Sequence, residues 1–198
     1  MSFVDPYDVA LAALDADNFS AFAYLKTAEE LLANPIDRSA GRELVIRALD
    51  RRESHFAGTE PLLKQLVRHA GLYPYLLSEF NELSISEELA MLAHQTPFSS
   101  AYVFHSAQLK IYEMLINGRN VILSAPTSMG KSAIVDSLIA SGKFKKLVIV
   151  LPTVALVDET RRRLSLNFGN TFQVIHHGSQ VLTEDKAIFV LTQERVNA

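Results

Sequence analysis

Residues 120–142 constrain the fold more tightly than any other stretch of the chain. A short apolar run, Asn120-Val-Ile-Leu-Ser124, leads into Ala125-Pro-Thr-Ser-Met-Gly-Lys-Ser132: a small residue, four open positions, then Gly-Lys-Ser. From Ser132 to Ala140 apolar residues recur at helical spacing, and Gly142 follows. An apolar run that turns through such a loop into a helix is the strand–loop–helix unit of a parallel sheet. The pattern predicts a buried strand over 120–124 and a helix over 132–140, closed by Gly142 as a left-handed cap. Unpaired N–H groups and the positive dipole end at such a helix N-terminus favour an anion, so the loop is a phosphate cradle. Ala125 and Pro126 make the turn, and Thr127, Ser128, Met129 and Gly130 offer backbone N–H groups to phosphates. Lys131 reaches terminal phosphates and the Ser132 hydroxyl holds Mg²⁺, which makes this pair the candidate catalytic residues.

The surroundings divide into two textures. The first hundred residues carry helix punctuation and little strand signal. Asp5-Pro6 opens a helix to about Leu14, and Ser20 to Ala33 follows with Phe22, Leu25, Ala28 and Leu32 on one face. A third helix spans about Ser39 to Arg52. Thr59-Glu-Pro61 starts a fourth, with Leu62, Leu63, Leu66, Val67 and Ala70, ending at Gly71. Ser84-x-x-Glu87 is a capping box ahead of Leu89 and Leu92. After the connector Thr96 to Ser100, strands alternate with helices: a helix at Ser106 to Asn117, strands at Leu147 to Leu151, Thr171 to Ile175 and Ala187 to Leu191, and a helix at Val154 to Leu166. The alternation predicts an α/β fold class, a parallel sheet preceded by an all-α domain. Residues 1–96 are the helical domain, 97–103 the linker and 104–198 the phosphate-loop domain.

Charge follows the same division. Residues 1–103 hold 8 Lys/Arg against 15 Asp/Glu, a balance of −7, whereas residues 104–198 hold 11 against 7, a balance of +4. The basic half suits phosphate-rich ligands and the acidic half suits a protein partner. With no cysteine there are no disulfides or thiolate metal sites, and no apolar stretch is long enough to cross a membrane, so a cytoplasmic location is expected.

Several motifs in order give the C-terminal half its resemblance to the DEAD/DEAH-box helicases of superfamily 2. Phe104-His-Ser-Ala-Gln108 resembles the family's glutamine-bearing segment, and Ser124 to Ser132 is similar to its motif I. Leu151-Pro-Thr-Val-Ala-Leu-Val-Asp-Glu159 resembles motif Ia, His177-Gly178 the glycine turn after the third strand, and Leu191-Thr-Gln-Glu-Arg195 motif Ib. Gln193 stands where proline is usual and Val154 where a basic residue is frequent. The resemblance implies that the sheet is an incomplete RecA-like one, that ATP and Mg²⁺ are the cofactors and that Gln108 reads the adenine edge. It also implies that Pro152, Thr153, Gly178, Thr192 and Arg195 line a DNA or RNA strand. The Asp-Glu box that follows motif Ib in the family is absent, as is the second motor lobe. The expectation is therefore the N-terminal portion of an ATP-dependent helicase or translocase, which binds Mg–ATP without hydrolysing it efficiently alone. The 120–124 strand is then expected to lack its usual neighbours, and residue 198 is not expected to be a natural domain end. The alternative is a non-catalytic nucleotide-binding or protein-interaction module.

Some residues admit plainer readings. Gln108 on a helix can be an ordinary surface glutamine, and His176-His177 fits a strand-end turn better than a metal site. Arg161-Arg-Arg163 reads as a solvated face, and Phe98, Tyr102 and Phe104 as core at the junction rather than a stacking platform.

Overall fold

The computed structural model describes residues 5–126 and 129–196. Among the described residues seven helices build the N-terminal half: α1 Pro6–Ala13, α2 Ala21–Ala33, α3 Arg38–Asp50, α4 Arg52–His55, α5 Glu60–His69, α6 Pro74–Glu79 and α7 Ile85–Ala93. Their starts are chemical. The Asp5 carboxylate accepts from the Tyr7 amide (2.9 Å), the Ser20 hydroxyl accepts from Ala23 (3.3 Å), and prolines occupy the first turns of α1, α5 and α6. In α7 the capping box closes on Glu87, whose carboxylate accepts from the Ser84 amide (2.7 Å) and hydroxyl (2.8 Å).

The core of this half joins Leu25, Ala28 and Leu32 of α2 to Leu44, Val45 and Ala48 of α3, with Leu63 and Val67 of α5 below. Helices α2 and α3 approach closely because Gly41 has no side chain: a Cβ there would lie 2.7 Å from the Leu32 amide nitrogen. Two expected core residues face outward instead, Phe22 (66% exposed) and Leu62 (42%). Their helices bury the adjacent stripe, with Tyr24, Leu25 and Leu31 in α2, so the buried arc is rotated from the one expected. Helix α6 was not legible, because six residues after Pro74 are too few to show a period.

The C-terminal half comprises α8 Ser106–Ile116, α9 Lys131–Ala140, β1 Lys146–Leu151, α10 Val154–Phe168, β2 Gln173–Ile175 and β3 Ala187–Thr192, then a 3-10 turn Gln193–Arg195. All three strands are parallel in the order β1-β3-β2, with Lys146 opposite Ala187 and Leu151 opposite Thr192. The central strand β3 buries Ala187, Ile188 and Val190 completely, as a strand flanked on both edges should. Helix α10 covers one face with Val157, Leu164 and Phe168, and Ile139 of α9 joins that cluster.

The strand expected over 120–124 does not form. Ile122 is fully exposed, and none of the three strands pairs with the segment. A strand without a neighbour cannot satisfy its backbone groups in a sheet, so the segment runs to the phosphate loop in contact with water. Between the halves the chain folds tightly on itself: Gln95 bridges Val103, and the Phe104 amide donates to the His94 carbonyl (2.8 Å). Val103 packs on the helical core and Phe98 on the sheet core, while the Ser106 amide donates to the Gly71 carbonyl (3.1 Å).

Candidate functional site

The phosphate loop ends at Gly130, whose φ of 72° and ψ of 39° place it in the left-handed region as the N-cap of α9. Only glycine takes that conformation without strain, and it leaves the first amides of α9 free of side-chain caps. The Lys131 ammonium folds back to donate to the Ala125 (2.9 Å) and Pro126 (2.8 Å) carbonyls. The Met129 amide also donates to Pro126 (3.2 Å). The loop is thus closed on its own lysine. Ser132 sits exposed on the first turn of α9. Thr127 and Ser128 lie outside the described residues.

Gln108 is 7% exposed, which excludes the reading as a surface glutamine. Its Oε1 accepts from the His105 amide (2.8 Å) at the start of α8, and its Nε2 donates to the Met129 carbonyl (2.8 Å). The side chain therefore ties α8 to the phosphate loop. A Cβ on Gly130 would stand 2.7 Å from Nε2, so the glycine also makes room for this tie.

Because the strands are parallel, their carboxyl ends share one edge, where ligands of open α/β sheets bind. Pro152 and Thr153 follow β1, the His176–Gly178 turn follows β2, and Thr192 to Arg195 follow β3. Thr153 caps α10, accepting from the Leu156 amide (3.3 Å). Arg195 donates to the His176 carbonyl (2.8 Å) and joins the ends of β2 and β3. Gly178 is exposed with open space around it, while Thr192 is buried. Burial first, then the nearby Arg161 and His177, hold His176 below the usual imidazole range, so it is neutral near pH 7.

Sequence reasoning missed two sets of residues. Arg163 donates to the buried Asp136 carboxylate, pairing α10 with α9, so it is not part of a solvated face. A carboxylate amid Ile134, Val135 and Ile139 was the available signal, since a buried charge requires a partner. Arg162 is exposed as expected, and Arg161 faces Asp158 at 3.8 Å. The second set is Gln173 and Gln180. The Gln180 carboxamide accepts from His176 and His177 (2.9 Å each), and that of Gln173 accepts from Thr183 (2.9 Å), shaping the β2–β3 loop. No sequence signal marked them. Phe104 is buried as expected of core and Phe98 packs on Phe168, but Tyr102 is 57% exposed.

Among the described residues no three His, Cys, Asp or Glu side chains gather as a metal site would require, and no helix is long and apolar enough to cross a membrane. For Mg²⁺ the loop offers the exposed Ser132 hydroxyl, and Asp136 is already held by Arg163.

Residues 105–198 match the family of DEAD/DEAH box helicases. Over these residues the chain is similar to members of that family. Residues 4–88 match the N-terminal domain of anti-bacteriophage protein B. The chain is 53% identical over 191 residues to anti-bacteriophage protein B of Escherichia coli (strain K12), an alignment covering 96% of this chain and 26% of the relative. It is also 30% identical over 116 residues to reverse gyrase of Pyrococcus horikoshii, covering 54% of this chain and 7% of the relative. The chain thus spans about a quarter of the first relative's length. No solved structure matches it significantly.

Proposed function

We propose that this chain is the nucleotide-gripping front part of an ATP-driven nucleic-acid motor acting in defence against bacteriophage. The observation that carries the reading is the Gly130–Lys131 junction: a left-handed glycine opens α9 while the lysine waits on the loop's own carbonyls. A triphosphate offers Lys131 stronger, charge-assisted partners than Ala125 and Pro126 do, and the α9 N-terminus adds its dipole. Backbone amides from Thr127 to Gly130 would hold the phosphates, and Ser132 would ligate Mg²⁺ carried in with them. Bound Mg²⁺ would supply charge neutralisation at the phosphates.

DNA or RNA would lie along the carboxyl edge, against Pro152, Thr153, Gly178, Thr192 and Arg195. Phosphate contacts of this kind bind without reading sequence, and the positive balance of residues 104–198 favours them. Residues 104–198 contain no Asp-Glu-x-Asp/His box, the family's source of the carboxylates that orient an attacking water, so efficient hydrolysis by this chain alone is not expected. The role in phage defence rests on likeness to the E. coli relative.

A second reading, a protein-docking module, is favoured by α7, which exposes Ile85, Leu89 and Leu92 at helical spacing (77%, 61% and 63%). The test is anisotropy of a fluorescent ATP analogue with Mg²⁺, on the wild type and Lys131→Ala, with and without a single-stranded oligonucleotide. Binding that the substitution abolishes supports the phosphate-loop reading. Equal binding by the variant rejects it.

A further inference from the structure

Helix α7 buries only Met91 and Glu87 of its nine residues and turns Ile85, Leu89 and Leu92 outward, each more than half exposed. Beside this stripe a cavity of roughly 640 Å³ opens between α6 and α7. Phe80 and Met91 of the helical core form its floor, Leu77 and Leu92 its exposed lips. Glu88 is the one charged side chain among the described lining residues. At about 3.6 residues per turn, Met91, Glu88, Leu92, Ile85 and Leu89 follow one another around α7. Cavity and stripe are therefore one continuous apolar surface with a carboxylate set in it.

Charge narrows what can cover that surface. No lysine or arginine occurs from His69 to Leu109, a stretch that holds Glu79, Glu82, Glu87 and Glu88. Cations of α5 reach α7 from the side away from the stripe, where Arg68 donates to the Ser86 hydroxyl (3.3 Å) and Lys64 to the Glu82 carbonyl. Glu87 is held in the capping box. Among the described residues Glu79, Glu82 and Glu88 form no ion pair. An apolar face in such a setting repels nucleic-acid phosphates and anionic lipid headgroups. A second copy using the same face would set carboxylate against carboxylate.

We propose that this face holds an amphipathic helix of a partner protein, apolar along one stripe and basic beside it. Its anchors would pack on Leu89 and Leu92, with one side chain seated in the α6–α7 cavity, the spacing by which a helix lies in a groove. A flanking Lys or Arg would pair with Glu88, and the other two open carboxylates would favour its approach. This gives the docking reading above its partner chemistry and rests on that reading, independently of the phosphate loop.

The test uses two fluorescein-labelled, helix-stapled peptides with the same leucine stripe, one flanked by lysine and arginine, the other by glutamate. Each is titrated by anisotropy into the full chain, as wild type, Leu89→Asp, Leu92→Asp and Glu88→Lys. All three positions are exposed, so the variants retain the fold, which circular dichroism checks. The wild type is expected to take the basic peptide and refuse the acidic one, and each leucine substitution to weaken binding by about tenfold or more. Glu88→Lys reverses the preference between the peptides, which a merely apolar patch would not do. Sedimentation velocity and flotation with phosphatidylserine vesicles test the other occupants on the same proteins. Self-association or vesicle binding through Leu89 and Leu92, or a wild type that prefers the acidic peptide or takes both equally, overturns the basic helix while leaving α7 a docking face. Binding of neither peptide without any such association, or binding indifferent to all three substitutions, overturns the docking reading as well.

Discussion

Gly41→Ala sets two effects of opposite sign against each other within one helix. Alanine in a helix interior is favoured over glycine by about 1 kcal/mol, so propensity alone predicts a more stable protein. The structure predicts otherwise. The added Cβ would stand 2.7 Å from the Leu32 amide nitrogen, 2.9 Å from its Cγ and 3.0 Å from the Ala28 carbonyl oxygen. Two of these atoms are backbone and cannot rotate away, so α2 and α3 must separate by several tenths of an ångström. Around the crossing, Ala28, Leu44, Val45 and Ala48 are completely buried and would all lose contact. Overpacking of this kind costs about 1–3 kcal/mol, and rigid backbone neighbours put this site at the upper end. The net effect is a loss of about 1–2 kcal/mol, or roughly 5–10 °C in melting temperature for a unit of this size. Thermal denaturation followed by circular dichroism at 222 nm measures it. An unchanged or raised melting temperature would show that the crossing has slack and that the packing argument is wrong.

Two further substitutions probe the two halves. Arg163→Ala leaves the buried Asp136 carboxylate without its partner; with Arg163 one-third exposed, the loss in urea denaturation is expected at about 2 kcal/mol. The double change Asp136→Leu with Arg163→Leu recovers most of it, which a purely exposed pair would not do. Ser84→Ala removes half of the α7 capping box and costs about 1 kcal/mol. Burial opposes the Glu87 charge, but the Ser84 amide and hydroxyl bonds outweigh it and hold the carboxyl below its usual range. That stabilisation is present above the unfolded carboxylate pKa and is lost as pH falls through the folded one. Acid denaturation should therefore be shallower in Ser84→Ala, and equal slopes would contradict the assignment.

How much of this was legible follows from the range of the interactions. Helix starts at Asp5, Ser20, Pro61 and Ser84 were readable because caps act within three residues. The strands Lys146–Leu151 and Ala187–Thr192 were readable as apolar runs. The stretch at 120–124 has the same character, yet pairing rather than composition makes a strand, and no neighbour is present. In α2 the apolar residues outnumber those the core can take, so the pattern did not say that Tyr24 would be buried and Phe22 exposed. Within the site, the loop glycine and lysine were marked by local spacing. The tie from Gln108 to Met129 and the Arg163–Asp136 pair join residues far apart in sequence and needed the folded chain.

The central claim is that the loop from Ser124 to Ser132 grips a nucleoside triphosphate. Hydrogen exchange on the whole chain, with and without saturating Mg–ATP, tests it at the amides concerned. The account predicts slowed exchange across 124–132 and at the start of α8, absent in Lys131→Ala. Exchange there that Mg–ATP leaves unchanged, or slows equally in the variant, would contradict it.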